Sequence, residues 1–475
     1  MNFKKLLKLF TVKETYSGAK ITIFDELEPE ESAMVQSLNS RSAGGFWMNL
    51  MKVTKEGAEK FMSAFYSGYG HKSIADCGST SATFDGISML AAKEIQNWWA
   101  YNGQETSTRY IDTTGLGYID PLGTEVSKRI MGKWFAFYIK AIEPLKEHLR
   151  IVRPKKEDED EEKYEKMIFT RTCDILGSFL PAGAKTNASC HMELRQWDDK
   201  LSWMKYHPLV EISQITNATL EGMIERYEST FKRKPTKNDA ELIARGKREA
   251  YRQSSQEIVA YQYASDFESI EIYQKVTDGF KFTVNFLHDS FLKRTYRELV
   301  ESRPEKVEIP KIVNECGSFR IQFLIDFRSH RDLQRQRSAL QRVPLLTTEI
   351  GFEQWYLDQL PEYLRIEALD LIKEQCAEIE SLDCDKFTKQ YYIAMGFKVL
   401  DTFTVSLSDL IYIIELRTPT TVHPTARAIA LKMYRSLKVT LPDFVKIYAN
   451  ESEDDLDIKR ADQDLFIGDK RLNEK

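Results

Sequence analysis

No CxxC pair occurs among the six cysteines (Cys77, Cys173, Cys190, Cys316, Cys376 and Cys384), and the seven histidines are equally scattered. Structural zinc sites draw their ligands from closely spaced pairs, so none is expected. So few thiols also fall short of a disulfide scaffold and suit a reducing compartment. Long apolar runs are missing too. The amino-terminal MNFKKLLKLFTVKETYSGAK has only a short apolar patch and lacks a small-residue cleavage site, so the chain reads as cytoplasmic, without a membrane partner. Nor is positive charge in excess: 67 Lys and Arg face 72 Asp and Glu, for a net charge of −5. That balance argues against nucleic acid, which needs a dense basic face to displace counterions.

What is present is the composition of a globular protein, 42% hydrophobic and 12% aromatic, long enough for two ordinary domains or one large one. AKITIFDEL (19–27) reads as a strand. LAAKEIQNWWAYN (90–102) keeps helical spacing, and Gly103 suits its end. The charge run in KAIEPLKEHLRIVRPKKEDEDEEKYEKM (140–167) reads as a solvated turn between helices. Helical patterns follow over 218–262 and 290–303, and the charged stretch 451–475 is expected to fray.

The sequence also repeats itself. DCGSTSATF (76–84) and ECGSFRIQF (315–323) share acid-Cys-Gly-Ser and then Phe at one offset, about half the chain apart. A duplicated unit is expected, with a boundary between 240 and 285: residues 1–245, residues 246–450 and a tail, 451–475. Cys77 and Cys316 precede apolar strands and read as structural.

Each copy leads into a polar constellation. In ETSTRY (105–110), an extended backbone would set Glu105, Ser107 and Arg109 on one face. A carboxylate, a hydroxyl and a guanidinium there suit an anionic ligand such as a nucleoside monophosphate. A surface loop with its own Glu–Arg pair is the alternative. RSHRDLQRQR (328–337) gathers Arg328, Arg331, Arg335 and Arg337, the first three near one helical face. They suit a phosphate or, equally, the chain's own carboxylates. In LSDLIYIIELRTPTTVHPTARAI (407–429) an apolar helix ends at Arg417, a charge that needs a partner or a cleft. His423 and Arg427 open the next helix.

These residues resemble the flavin-dependent thymidylate synthases. That family carries an Arg-His-Arg triplet, seven residues, then Ser within a pattern closing on Ser-x-Arg-Tyr, preceded by Gly-His-x-Ser/Thr and Gly-Ile-Ser elements. GYGHKS (68–73), GIS (86–88) and ETSTRY match it. LPAGAKTNASCHMELR (180–195) supplies Leu180, Pro181, Thr186 and Arg195, with Glu193 where Asn is usual, and HPLVEI (207–212) is similar to the closing His-Ala-Gln-x-Glu-Ile. Asn97, Trp98 and Trp99 stand at the triplet, and Met204 near the place of a later helix's terminal Arg. The second copy holds what the first lacks. Arg335, Gln336 and Arg337 stand at the triplet and Arg417 at the terminal Arg, while Leu345 occupies the place of the ETSTRY serine. The resemblance covers 70–425.

In that family one subunit's Ser-x-Arg faces another's triplet helix, so two fused copies can each lose the half the other supplies. Trp98 and Trp99 would then pack into a vacated site. The resemblance implies an α/β fold of two tandem thymidylate synthase-like units, long helices packed on antiparallel strands. The implied reaction is reductive methylation of dUMP to dTMP, with methylenetetrahydrofolate and NAD(P)H as co-substrates and FAD as cofactor. The implied assembly is a homodimer, a pseudo-tetramer of repeats. Glu105, Thr106, Ser107, Thr108 and Arg109 would bind the nucleotide, Ser107 and Arg109 at its phosphate. His71, Ser73, Arg195, Arg335, Gln336 and Arg337 would hold FAD. Arg417 would be catalytic, stabilising negative charge on the uracil ring as C5 becomes nucleophilic. No metal is implied. Rival readings are a flavoenzyme acting on another pyrimidine nucleotide, a flavin- or nucleotide-binding homologue without catalysis (His is missing from both triplets), and a helical protein whose arginines pair with its own acids.

Overall fold

The computed structural model describes residues 11–25, 27–40, 42, 45–62, 66, 72–106, 115, 117–232, 279–305, 307–343, 345–441 and 445–452. Along the first half run β1 (Thr11–Glu14), β2 (Lys20–Ile23), α1 (Pro29–Leu38), α2 (Gly45–Glu56), β3 (Ser79–Ser88), α3 (Met89–Gln96), α4 (Glu125–Val152), α5 (Glu161–Leu176), β4 (Lys185–Glu193), α6 (Leu194–Met204) and α7 (Val210–Arg226). Along the second run β5 (Phe280–Leu287), β6 (Gly317–Asp326), α8 (Phe327–Gln334), β7 (Leu340–Arg342), α9 (Glu362–Glu380), β8 (Lys398–Ser406), α10 (Leu407–Arg417) and α11 (Pro424–Thr440). The architecture is mixed α/β. β1 pairs with β2 and β3 with β4, while the second half builds a four-stranded sheet, β5-β6-β8-β7. All its pairings are antiparallel, with β6 and β8 in register from Ser318↔Ser406 to Asp326↔Lys398.

Two compact units form, neither contiguous in sequence: 1–83, 100–104 and 189–261 in one, and 84–99, 105–188 and 262–475 in the other. The first has a core of Met34, Val35, Leu38, Leu50, Val53 and Ala58, with Phe46 and Trp47 packed against it. The second buries Phe319, Ile321 and Phe323 of β6, Val399 and Phe403 of β8, and Leu410, Ile413 and Ile414 of α10. Burying such side chains is the main stabilising term, about 1.5–3 kcal/mol each.

The order of elements recurs between the halves. A six-residue 3-10 turn, a ten-residue strand and an eight-residue helix occur as Lys72–Cys77, β3 and α3, and again as Lys311–Cys316, β6 and α8. A three-residue turn, a nine-residue strand and helices of 11 and 17 residues occur as Gly177–Phe179, β4, α6 and α7, and again as Gln390–Tyr392, β8, α10 and α11. Local chemistry recurs with them. Strand passes directly into helix because the last strand residue is itself an N-cap: Ser88 accepts from Ala91 N at 3.0 Å and Asp326 from Ser329 N at 2.8 Å.

Several sequence expectations need correction. The helix expected over 90–102 ends at Gln96, where Asn97 leaves helical geometry (φ −73°, ψ 66°) and Trp98 N turns back to Gln96 O. Gly103 is no helix stop; a Cβ there would fall 1.9 Å from Ser189 O, so the glycine permits a close backbone approach. Trp99 is 67% exposed and Trp98 half-buried, so the pair does not pack into a vacated site. The 290–303 pattern is two short helices, Asp289–Thr295 and Arg297–Glu301. Of the 218–262 pattern, α7 ends at Arg226, and residues 233–278, like 453–475, lie outside the described residues.

Candidate functional site

One face of α8, read every third residue, reaches the first half of the chain. Arg328 Nη1 donates to Cys173 O at 2.8 Å in the last turn of α5. Gly177, which caps that helix, makes room, since a Cβ on it would sit 1.5 Å from the same nitrogen. Arg331 forms an ion pair with Glu105, both side chains almost fully buried. Gln96 Nε2 donates to the other carboxylate oxygen. Gln334 Nε2 donates to Lys93 O at 3.0 Å in the last turn of α3. A buried carboxylate must be paired, and Glu105 is paired twice.

The backbone at Glu105 is fixed as firmly. It bridges Ala188 of β4, and Thr106 N donates to Asn187 O at 2.9 Å. Asn187 Oδ1 in turn accepts from Gly86 N at 2.8 Å, where φ is +72°, a conformation that favours glycine. ETSTRY thus starts as an edge laid along β4. Ser107, Thr108 and Arg109 lie outside the described residues, as does His71.

At the carbonyl end of α8, Arg335 is the C-cap and exposed, Gln336 is buried, and Arg337 is exposed. Half-buried Arg417, the last residue of α10, donates through Nη2 to Asp332 O at 2.8 Å. A cation is favourable at that end of a helix. The structure therefore gathers Arg331 and Arg417 around α8, with Arg335 a single turn beyond the residue that grips Glu105. Ser73 and Arg195 belong to the other compact unit. Ser73 is exposed there, and Arg195 pairs with Asp76 at 3.0 Å and Asp199 at 3.6 Å, which raises its pKa.

Sequence reasoning left unassigned what anchors α8. Asp326 accepts from Ser329 N and from Tyr356 Oη, both at 2.8 Å, and burial pushes its carboxyl up to about 6. Ser329 Oγ meets His423 Nδ1 at 3.0 Å and Thr425 Oγ1 at 2.6 Å at the start of α11. His330 Nδ1 lies 2.8 Å from Asp401 Oδ2 of β8. Arg427 is spent on backbone carbonyls, including Thr418 O at 2.7 Å. The available signal was the triad spacing of Arg328, Arg331 and Gln334. A cavity of about 460 Å³ lies elsewhere on α10, where Arg303 and Glu415 pair in its wall; Arg417 is not part of its lining.

Against known proteins, residues 26–227 match the family model described as thymidylate synthase complementing protein. A UPF0159 protein of Chlamydia pneumoniae is 24% identical over 448 residues, 86% of this chain and 83% of the relative. One of Chlamydia muridarum is 23% identical over 441 residues, covering 84% and 82%. A crystal structure of a flavin dependent thymidylate synthase from Helicobacter pylori, complexed with FAD and dUMP, aligns at 15% identity. It covers 43% of this chain and 93% of its own, with a TM-score of 0.29, too loose a likeness to bear on the fold. Residues 26–227, the stretch that holds GYGHKS, ETSTRY and LPAGAKTNASCHMELR, are therefore similar to the thymidylate synthase complementing protein family.

Proposed function

We propose that the chain is an FAD-dependent enzyme of thymidylate synthase type that methylates dUMP reductively to dTMP, using methylenetetrahydrofolate and NAD(P)H. Its site is composite, built from two tandem copies of one unit, 1–245 and 246–450, in a homodimer, with 451–475 as a tail. One observation carries this reading: α8 of the second half grips Glu105 of the first. The half with ETSTRY has Asn97-Trp98-Trp99 at the triplet, and the half with Arg335-Gln336-Arg337 has no ETSTRY. The contact joins the two complementary remnants.

In this reading Ser107 and Arg109 hold the nucleotide phosphate, the arginine by paired charge-assisted hydrogen bonds. Thr106 and Thr108 complete the segment. Arg335 and Arg337, exposed cations with Gln336 between them, form a donor set that suits the pyrophosphate of FAD. FAD, when bound, supplies the redox chemistry that links NAD(P)H to methylation. Arg417, steadied by Asp332 O, offers a fixed positive charge to the uracil ring. The glutamine at 336 favours a second reading, a flavin- and nucleotide-binding homologue without turnover, because an amide cannot exchange a proton as histidine does.

The test is an absorbance spectrum of the purified protein after incubation with FAD and desalting, followed by NAD(P)H oxidation with and without dUMP. Retained flavin with dUMP-dependent oxidation is the expected result. Retained flavin without it selects the second reading, and no retained flavin defeats both.

A further inference from the structure

The bonds joining the halves come in pairs related by a local two-fold. Ala182 N donates to Ile393 O at 2.8 Å and Met395 N to Leu180 O at 2.9 Å. Gly183 N donates to Tyr391 O at 2.8 Å and Gly396 N to Ser178 O at 2.7 Å, around a bridge between Pro181 and Ala394. The same correspondence governs the helices. Met89 N and Leu90 N donate to Ala184 O and Ala182 O, just as Phe327 N and Arg328 N donate to Phe397 O and Met395 O. It continues past the helices, because Asn102 bridges His191 as Leu340 pairs with Thr404. Followed residue by residue, it equates Lys93 with Arg331, Gln96 with Gln334, and Glu105 with Val343.

The polar contacts break this symmetry. Arg331 crosses to Glu105. Its mate Lys93 is also buried, but the position that would answer it is Val343, an apolar residue. Lys93 Nζ instead lies 3.6 Å from its own neighbour Glu94 and 5.9 Å from the centroid of the Phe327 ring. The two glutamines diverge in the same way: Gln96 serves Glu105, whereas Gln334 takes a backbone carbonyl. The duplicated frame has two places for a clamped edge and fills one.

Resting on the proposed function for what is bound, we infer that each chain carries a single nucleotide site, and that Arg331 is the residue that positions Glu105 and Thr106, where ETSTRY begins. Arg331 acts through Glu105 and the backbone it holds along β4, so it is a positioning residue rather than one that touches the reacting atoms.

Titration calorimetry of the full chain with dUMP tests the stoichiometry: one nucleotide per chain is expected, and two would overturn the single site. R331M is expected to bind dUMP about tenfold more weakly or worse, with R331K recovering part of the loss. Unchanged affinity in R331M would overturn the positioning role. Hydrogen exchange separates this role from general stability and from the function reading. In R331M the Thr106 amide is expected to exchange about tenfold faster while those of Ala182 and Met395 keep their protection. Should the wild type bind no dUMP, the nucleotide-site proposals fall with the function reading, and exchange alone then decides the clamp. Unaltered Thr106 protection, or loss at all three amides, would reject it.

Discussion

Glu105 shows how far a single residue can be read from sequence. Its place in ETSTRY marks it as a nucleotide ligand, yet its carboxylate is filled by Arg331 and Gln96. Spacing reveals which residues share a face but not what faces them, and Arg331 comes from 226 positions further along the chain. The arginine periodicity was legible, but its grouping was misplaced. Arg328 and Arg331 continue to Gln334, while Arg335 caps the helix and turns to solvent. On the proposed function, Arg109 and Arg417 have separable roles. Arg109→Ala should raise the dUMP dissociation constant about tenfold or more, as loss of charge-assisted hydrogen bonds costs about 1.5–3 kcal/mol. Arg417→Ala should lower kcat by about 10²–10³-fold with a smaller change in dUMP affinity, as for other preorganised charges. Steady-state kinetics and calorimetry on the two variants distinguish these effects; wild-type kcat in R417A would remove its catalytic role.

Elements were more legible in kind than in extent. The turn between α4 and α5, the apolar helix closing on Arg417 and the helix opening at His423 lie where the sequence puts them. α3 is shorter than its periodicity because apolar Trp98 and Trp99 prolong the pattern after the backbone has turned at Asn97. The β6–α8 junction carries a consequence invisible in the pattern. Burial raises the Asp326 carboxyl from 3.8 to about 6, so the folded chain keeps a proton that the unfolded chain has already released. The group's contribution to stability is therefore full below its unfolded pKa and declines as pH rises to about 6, by about 3 kcal/mol in all. Thermal unfolding of wild type and D326N at pH 5 and pH 7 should show the larger fall in Tm for the wild type. Parallel falls would mean that Asp326 ionises equally in both states.

At the scale of the molecule, the repeat DCGSTSATF and ECGSFRIQF points to two copies in succession, but compactness follows another division. Residues 84–99 and 105–188 share a unit with the second half. Similarity between segments carries no information about which packs on which, so this grouping could not be read from the repeat. The joining surface shows what holds it. Beside the paired backbone bonds, Trp134 Nε1 of α4 donates to Tyr392 O at 3.0 Å, and Gln375 Nε2 of α9 donates to Ile130 O at 2.8 Å. Lys133 meets Glu374 and Glu378 at 2.7 and 2.9 Å along the same two helices. The partly exposed ion pairs add little, so buried apolar area and satisfied backbone carry the junction. None of these bonds depends on the covalent link near residue 245. Residues 1–245 and 246–475, co-expressed as separate chains, should therefore co-elute one to one through a tag on either. W134F, which leaves the Tyr392 carbonyl without its buried donor, should weaken the pair by about 1–3 kcal/mol. Halves that elute apart would show that the connection itself, rather than the paired surface, holds the two halves together.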